Sequence, residues 1–323
     1  MKVLLVVDGS SYSDMAAKML DTLRLPAKTE VTILTVVPEA TFLGGITLDV
    51  IRGTSQARKK AREEQQQKAT ELLQRTAQTL GEGKLKVETM VRWGNPAEVI
   101  LQEVEERNAS LIVMGAKGLT DPLRFRLGSV ALKIMKYSNG SVLLVRPKSA
   151  KVSQESGKKG KTATLSRVLL ATDGSKYADA VARFLLELPL PHQTEVIVIT
   201  ALQSHLEAWM KTPTLDFRTN QELLDRLHVA EEAEARKITA KAQKQFRENG
   251  YKTASVVVRG GTGECILAAA KGYNPDVIAV GSKGLTGIES FFLGSVAERV
   301  ARYANCSVLV GRTTHRDAGD SNI

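Results

Sequence analysis

Cysteine and histidine are scarce in this chain. Of its 323 residues only Cys265 and Cys306 carry thiols, and only His192, His205, His228 and His315 carry imidazoles. The two cysteines stand far apart, in no Cys-x-x-Cys or Cys/His pattern, which argues against a disulfide framework and against a zinc site. Both are expected to be buried small apolar side chains in a reducing compartment. Aromatic residues make up 5% of the chain, too few to supply stacking platforms for single-stranded nucleic acid. No apolar run approaches the roughly 20 residues of a membrane helix, and the opening MKVLLVVDGS turns polar after Val7, too early for a secretory leader. The expectation is a cytoplasmic protein without a membrane partner. Equally missing are a GxxxxGK[ST] phosphate loop, the kinase HRD and DFG elements, and the SGGxDS loop of ATP pyrophosphatases.

Charge is present in excess of one sign, 45 Lys and Arg against 35 Asp and Glu, a formal net charge of +10. A nucleic-acid interface would gather those cations on one face and mix them with aromatic residues. Here they cluster in ARKKAREE at Ala57 to Glu64 and in KSAKVSQESGKKGKTATL from Lys148, both without aromatics. A solvated helix face and a tether explain these tracts, and nucleic acid is not the expected partner.

What the chain has is a long internal repeat. KVLLVVDGSSYSDMA at Lys2 returns as RVLLATDGSKYADAV at Arg167, and GAKGLTDPLRFRLGSVALKI at Gly115 returns as GSKGLTGIESFFLGSVAERV at Gly281. The offset from Asp8 to Asp173, from Gly115 to Gly281 and from Gly128 to Gly294 is constant to within one residue. A constant offset across a whole half means a duplicated domain. The reading is a first domain over 1–147, a Lys/Ser/Gly-rich linker over 148–165, a second domain over 166–312 and a tail over 313–323. All four histidines fall in the second half at positions the first does not match, which excludes a duplicated catalytic histidine.

Each copy repeats one order of elements. KVLLVV and RVLLAT are short apolar, β-branched runs suited to strands covered on both faces, and each ends at Asp-Gly-Ser. In the helix that follows, Met15, Met19, Leu20 and Leu23, matched by Val181, Phe184, Leu185 and Leu188, recur at helical spacing and form the face toward the sheet. EVTILTVV and EVIVIT are second strands, followed by a variable stretch and a long charged helix ending near Gly81 or Gly250, where glycine serves a left-handed cap. KVETMVR and TASVVVR, SLIVMG and DVIAVG, and SVLLVRP and SVLVGR are the later strands, separated by helices at NPAEVILQEVEE and GECILAAA and after Gly128 and Gly294. Strands alternating with helices predict an α/β fold, a doubly wound parallel sheet in each copy.

In such sheets ligands sit outside the carboxyl ends of the strands, where strand order reverses. Two loops of each copy point there: Asp-Gly-Ser after the first strand and the glycine-rich stretch after the fourth. Glycine lets backbone approach a phosphate or take a positive φ, and a helix starting at Gly128-Ser129 or Gly294-Ser295 offers free N–H groups and a positive dipole end to an anion. A carboxylate at Asp8 or Asp173 accepts hydrogen bonds, as a ribose hydroxyl requires, and repels phosphate. Plainer readings stand beside these. Gly115 and Gly281 could only end a strand, Ser129 and Ser295 could be ordinary N-caps, and Asp8 and Asp173 could only shape a turn.

Gly-x2-Gly-x9-Gly-Ser after the fourth strand, with Asp-Gly-Ser after the first and SVLLV closing the copy, resembles the universal stress protein family in its tandem two-domain form. The resemblance covers almost the whole chain apart from the linker and the tail after Arg312. It implies a Rossmann-like fold of the adenine nucleotide alpha hydrolase-like type, and membership of the ATP-binding branch. It further implies that Gly115, Gly118, Gly128 and Ser129, and in the second copy Gly281, Gly284, Gly294 and Ser295, hold phosphates. By the same resemblance Asp8 and Asp173 meet the ribose and the backbone at Val36 and Ala201 meets adenine. The implied cofactor is ATP, with Mg²⁺ on its phosphates. In the family the last strands pair across a dimer, so the two copies are expected to form a pseudo-dimer within one chain, and a homodimer of the whole chain is a further expectation.

The copies also differ. The first has Ala116 and Asp121-Pro122 where the second has Ser282 and Gly287, and a residue before proline is driven toward extended backbone. From Gly115 to Ser129, Lys117, Arg124 and Arg126 stand against Asp121, whereas from Gly281 to Ser295 Lys283 is balanced by Glu289. Two sites of unequal affinity follow. The functional expectation is a stress-response module that binds adenine nucleotide; a slow Mg²⁺-dependent ATPase and an interaction scaffold with vestigial sites are the alternatives.

Overall fold

In the computed structural model of the chain, residues 1–23, 25–26, 28–38, 55–81, 85–119, 127–148, 165–188, 190–202, 221–285 and 293–312 are described. Two compact units follow one another, Met1–Arg146 and Pro147–Ile323. The first contains β1 (Lys2–Val6), α1 (Ser11–Thr22), β2 (Glu30–Val37), α2 (Ser55–Thr79), β3 (Lys86–Trp93), α3 (Pro96–Arg107), β4 (Leu111–Gly115), α4 (Ser129–Tyr137) and β5 (Ser141–Val145). The second contains β6 (Arg167–Ala171), α5 (Lys176–Glu187), β7 (Glu195–Leu202), α6 (Gln221–Glu248), β8 (Lys252–Arg259), α7 (Thr262–Tyr273), β9 (Val277–Gly281), α8 (Ser295–Tyr303) and β10 (Ser307–Gly311).

Within each unit the strands pair in parallel, in the order β3-β2-β1-β4-β5 and β8-β7-β6-β9-β10. The order reverses between β1 and β4, and between β6 and β9. The doubly wound sheet expected from the alternating pattern is therefore present twice. Two of its inner strands carry no polar side chain: LIVMG of β4 and VIAVG of β9 are buried at all five positions, as strands covered by helices on both faces must be. Burial of each large apolar side chain, such as Leu5 or Ile278 at 0% exposure, contributes about 1.5–3 kcal/mol.

The sheet-facing side of α5 holds Val181, Phe184, Leu185 and Leu188, all buried as the spacing predicts. In α1 and its C-cap, Met19, Leu20 and Leu23 are buried but Met15 is only half-buried, and Ala16 and Ala17 are buried in its place. Small side chains there let the helix approach. Helix ends follow from single residues. Asn95 caps α3 by accepting from Ala97 N at 3.1 Å, Pro96 fills its first turn, and Asn108 closes it at φ 51°. Gly81 and Gly250 stand just past α2 and α6 at φ +71° and +83°, the left-handed caps expected from sequence. Cys306 is buried, but Cys265 is only half-buried, because it lies in α7 beside the turn at Gly260. Among the described residues no helix is long and apolar enough to cross a membrane.

Candidate functional site

At the reversal of strand order the chain leaves β1 and β4 in opposite directions, and the loops that follow them face each other. Asp8-Gly9-Ser10 leads from β1 into α1. Gly9 takes φ +80°, which turns the chain so that Ser10 becomes the N-cap, its hydroxyl accepting from Ser13 N at 3.2 Å. Gly174 at φ +77° and Ser175, accepting from Ala178 N at 3.2 Å, repeat this in the second unit. The positive-φ glycines of the site are thus those of Asp-Gly-Ser; Gly128 and Gly294 lie at φ −72° and −66°.

Asp8 spans the two loops. One carboxylate oxygen accepts from Ser10 N at 3.0 Å and the other from Leu119 N at 3.0 Å. Asp173 does the same with Ser175 N and Leu285 N, both at 3.0 Å. The plainer reading of these acids as turn-shapers therefore holds for one oxygen, while the other reaches across to the glycine-rich loop. Gly284 is needed there because a Cβ would lie 2.9 Å from Asp173 Oδ2.

The remaining glycines separate into two kinds. A Cβ on Gly115 would lie 2.7 Å from Tyr12 Cβ, and one on Gly281 2.9 Å from the Tyr177 carbonyl carbon. These two residues end β4 and β9 where the first turns of α1 and α5 press on the sheet, so packing alone demands glycine. Gly128 and Gly294 are the N-caps of α4 and α8, and Ser129 and Ser295 are the first helical residues, not the caps. The loop closes through Gly128 N to Ala116 O and Gly294 N to Ser282 O, each at 2.8 Å. A glycine cap has no side chain to satisfy the first-turn N–H groups, so among the described residues both helices open onto the crevice with no side-chain cap on their first amides. Gly118 lies on the described part of the first loop. Thr120 to Arg126 and Thr286 to Phe292 fall outside the described residues, and with them the contrast between Asp121-Pro122 and Gly287 and the charges of Arg124, Arg126 and Glu289.

Val36 and Ala201 sit near the carboxyl ends of β2 and β7. Leu34 O accepts from Val7 N at 2.9 Å and Val37 O from Gly94 N at 3.1 Å. Successive residues of a strand point their amides to opposite neighbours, so the N–H and C=O of Val36 face the side where β1 has already ended. Ala201 is placed alike, between Ile199 O, which accepts from Thr172 N at 2.9 Å, and Leu202 O, which accepts from Gly260 N at 3.0 Å.

One feature escaped the reading of the sequence, the gathering of Lys176 with Lys283 at the Tyr177 ring. Lys176 Nζ and Lys283 Nζ lie 5.5 and 5.7 Å from the centre of the Tyr177 ring, within cation–π range. The second unit therefore draws a cation from α5 as well as one from its glycine-rich loop, where the first unit has Ser11. The signal was the variable residue in Asp-Gly-Ser-x-Tyr. Charges counted along the glycine-rich stretch alone could not register it.

Other candidates for chemistry are set aside by geometry. Burial, then the charge of Glu264, pushes the Cys265 thiol up, away from the reactive thiolate. Among the described residues no three His, Cys, Asp or Glu side chains group as metal ligands. A pocket lined by Lys2, Glu30, Lys86, Glu88 and Arg107 lies at the amino ends of β1 to β3, opposite the crevice. Four of these five charges are paired, Lys86 with Glu30 at 3.0 Å and Arg107 with Glu88 at 2.9 Å.

The sequence profile described as the universal stress protein family matches residues 1–146 and 164–312. The chain belongs to the universal stress protein family. It is 31% identical over 148 residues to universal stress protein YxiE of Bacillus subtilis (strain 168), a match covering 45% of this chain and 98% of that protein. It is also 31% identical over 144 residues to universal stress protein MJ0531 of Methanocaldococcus jannaschii, covering 45% of this chain and 80% of the relative. Nearly the whole of the Bacillus universal stress protein thus corresponds to a length of about one unit here. The crystal structure of a universal stress protein from Archaeoglobus fulgidus DSM 4304 aligns over 96% of this chain and 98% of its own, with a TM-score of 0.62 and 21% identity. That likeness speaks for the tandem fold.

Proposed function

We propose that each unit of this universal stress protein binds an adenine nucleotide, ATP with Mg²⁺ on its phosphates, and that the protein is a stress-response module governed by that occupancy. The carrying observation is the duplicated pair of uncapped helix starts, Gly128-Ser129 of α4 and Gly294-Ser295 of α8, opening on the crevice where strand order reverses. Amides that no cap side chain satisfies and the positive end of a helix dipole favour phosphate. The serine hydroxyls add a donor, and Lys117, Lys283 and Lys176 add positive charge. Each oxygen of Asp8 and Asp173 accepts one backbone bond and keeps a lone pair for a ribose hydroxyl. The outward-facing amide and carbonyl of Val36 and Ala201 match the donor and acceptor on one edge of adenine.

A binding role is preferred to a hydrolytic one because two backbone amides fix the duplicated acid of the crevice in place and the lone pairs they leave are taken by the ribose hydroxyls. A general base must be free to take a proton from water. The test is to denature the purified protein, identify any released nucleotide by mass spectrometry, and titrate the emptied protein with ATP and Mg²⁺. Release or uptake of up to two adenine nucleotides per chain with negligible turnover is expected. Steady hydrolysis would favour the slow ATPase, and no release with no uptake would leave the scaffold.

A further inference from the structure

We infer that Asp8 and Asp173 are positioning residues: each latches the start of the glycine-rich loop, residues 115–119 or 281–285, in the ligand-free protein, by holding the amide of Leu119 or Leu285, so that this segment is in place before a phosphate arrives. The inference deepens the nucleotide-binding reading and rests on it only for the consequence, not for the latch.

Three observations carry it. The contact joins residues 111 apart in the first unit and 112 in the second, at 3.0 Å in both. Side-chain packing does not hold the loop at that point, because Leu119 and Leu285 are 68% and 73% exposed. Gly284 leaves out the Cβ that would strike the Asp173 carboxylate. An amide bonded to an ionised carboxylate makes a strong, short-range tie, and a loop held in its bound shape loses less freedom when the ligand binds.

The test uses the full chain with Asp8→Ala, Asp173→Ala and the conservative Asp8→Asn. Without nucleotide, hydrogen exchange at the Leu119 amide in Asp8→Ala, and at Leu285 in Asp173→Ala, is expected to rise roughly tenfold or more. Exchange in the core strands at Leu5 and Leu169 stays slow, which shows that the fold is intact. Asparagine keeps one acceptor oxygen and loses the other, so Asp8→Asn should fall between wild type and Asp8→Ala. Unchanged exchange at Leu119 and Leu285 overturns the latch. Affinities for ATP and for 2′,3′-dideoxy-ATP then separate latch from ribose acceptor. A latch makes Asp8→Ala weaken the dideoxy nucleotide, with ATP weakened further by the lost ribose contact, whereas a loss confined to ATP would overturn the proposed consequence. Should wild type bind neither nucleotide, the binding reading fails while the exchange measurement still decides the latch.

Discussion

A glycine that ends a strand and a glycine that starts a helix look alike in sequence, yet here they differ in what a side chain would meet. At Gly281 a Cβ would lie 2.9 Å from the carbonyl carbon of Tyr177, 3.0 Å from its oxygen and 3.1 Å from Ala178 N. All three are backbone atoms of the α5 first turn, so the helix itself would have to move. At Gly294 the nearest atoms, Ser282 O and Lys283 Cα, stand at 3.2 and 3.3 Å, and a small shift of the loop suffices. Gly281→Ala is therefore expected to cost about 1–3 kcal/mol of stability in the ligand-free protein, read from the urea midpoint. Gly294→Ala should cost less than ~1 kcal/mol and instead weaken nucleotide binding. An unchanged midpoint for Gly281→Ala would return that glycine to the phosphate. The motif showed where glycine was required, but not why, because the reason at Gly281 is a helix that begins more than a hundred residues earlier. The Asp8 and Asp173 latches were illegible for the same cause.

Elements were far more legible than contacts. A strand buried on both faces must be continuously apolar, so LIVMG and VIAVG announce themselves, and β2 occupies the same eight residues that the pattern marks out. The polar interior of the first unit carried no such signal. Glu103 of α3 is buried at 4% exposure, yet accepts from Arg92 Nε on β3 and from Arg107 Nε at 2.9 Å. Arg107 in turn reaches Glu88 at 2.9 Å and Thr32 at 3.2 Å. By the repeat, the second unit has Ala269, Val258 and Tyr273 in the places of Glu103, Arg92 and Arg107, so it ties α7 to its sheet without this network. Burial raises the Glu103 pKa, but the bonds from Arg107 and Arg92 outweigh it and hold the carboxyl below its ordinary range. A carboxyl with a lowered folded pKa contributes its full stability above the unfolded value of about 4.3, and the contribution disappears as pH falls through the lower folded value. Glu103→Gln should therefore destabilise by about 1–2 kcal/mol at pH 7, a figure reduced because Arg92 and Arg107 keep access to water. Thermal or urea unfolding across pH should find the gap to wild type closing below about pH 4. A gap independent of pH would mean that shape, and not charge, is what Glu103 supplies.

At the scale of the whole chain, duplication supplies its own control, because the two crevices are built on the same order of strands and helices and differ in side chains. Counting the glycine-rich loops alone gives the first copy the greater positive charge. The second unit compensates from another element, with Lys176 on α5 standing beside Lys283 at the Tyr177 ring, where the first unit has Ser11. A titration with a slowly hydrolysed ATP analogue should fit two constants, and Lys176→Ala should move one of them. An exposed cation near a phosphate chain contributes about 0.2–1 kcal/mol, so that constant should weaken up to about fivefold. The effect should shrink as salt screens the charge over roughly 10 Å at 0.1 M, and it should be smaller for AMP, which has a shorter phosphate chain. Ser11→Lys is the reciprocal experiment: it grafts the cation onto the first crevice and should tighten the other constant by a similar factor. If Lys176→Ala shifts both constants together, or neither, then the difference between the units lies in the shape of their glycine-rich loops rather than in charge drawn from the helix that follows Asp-Gly-Ser.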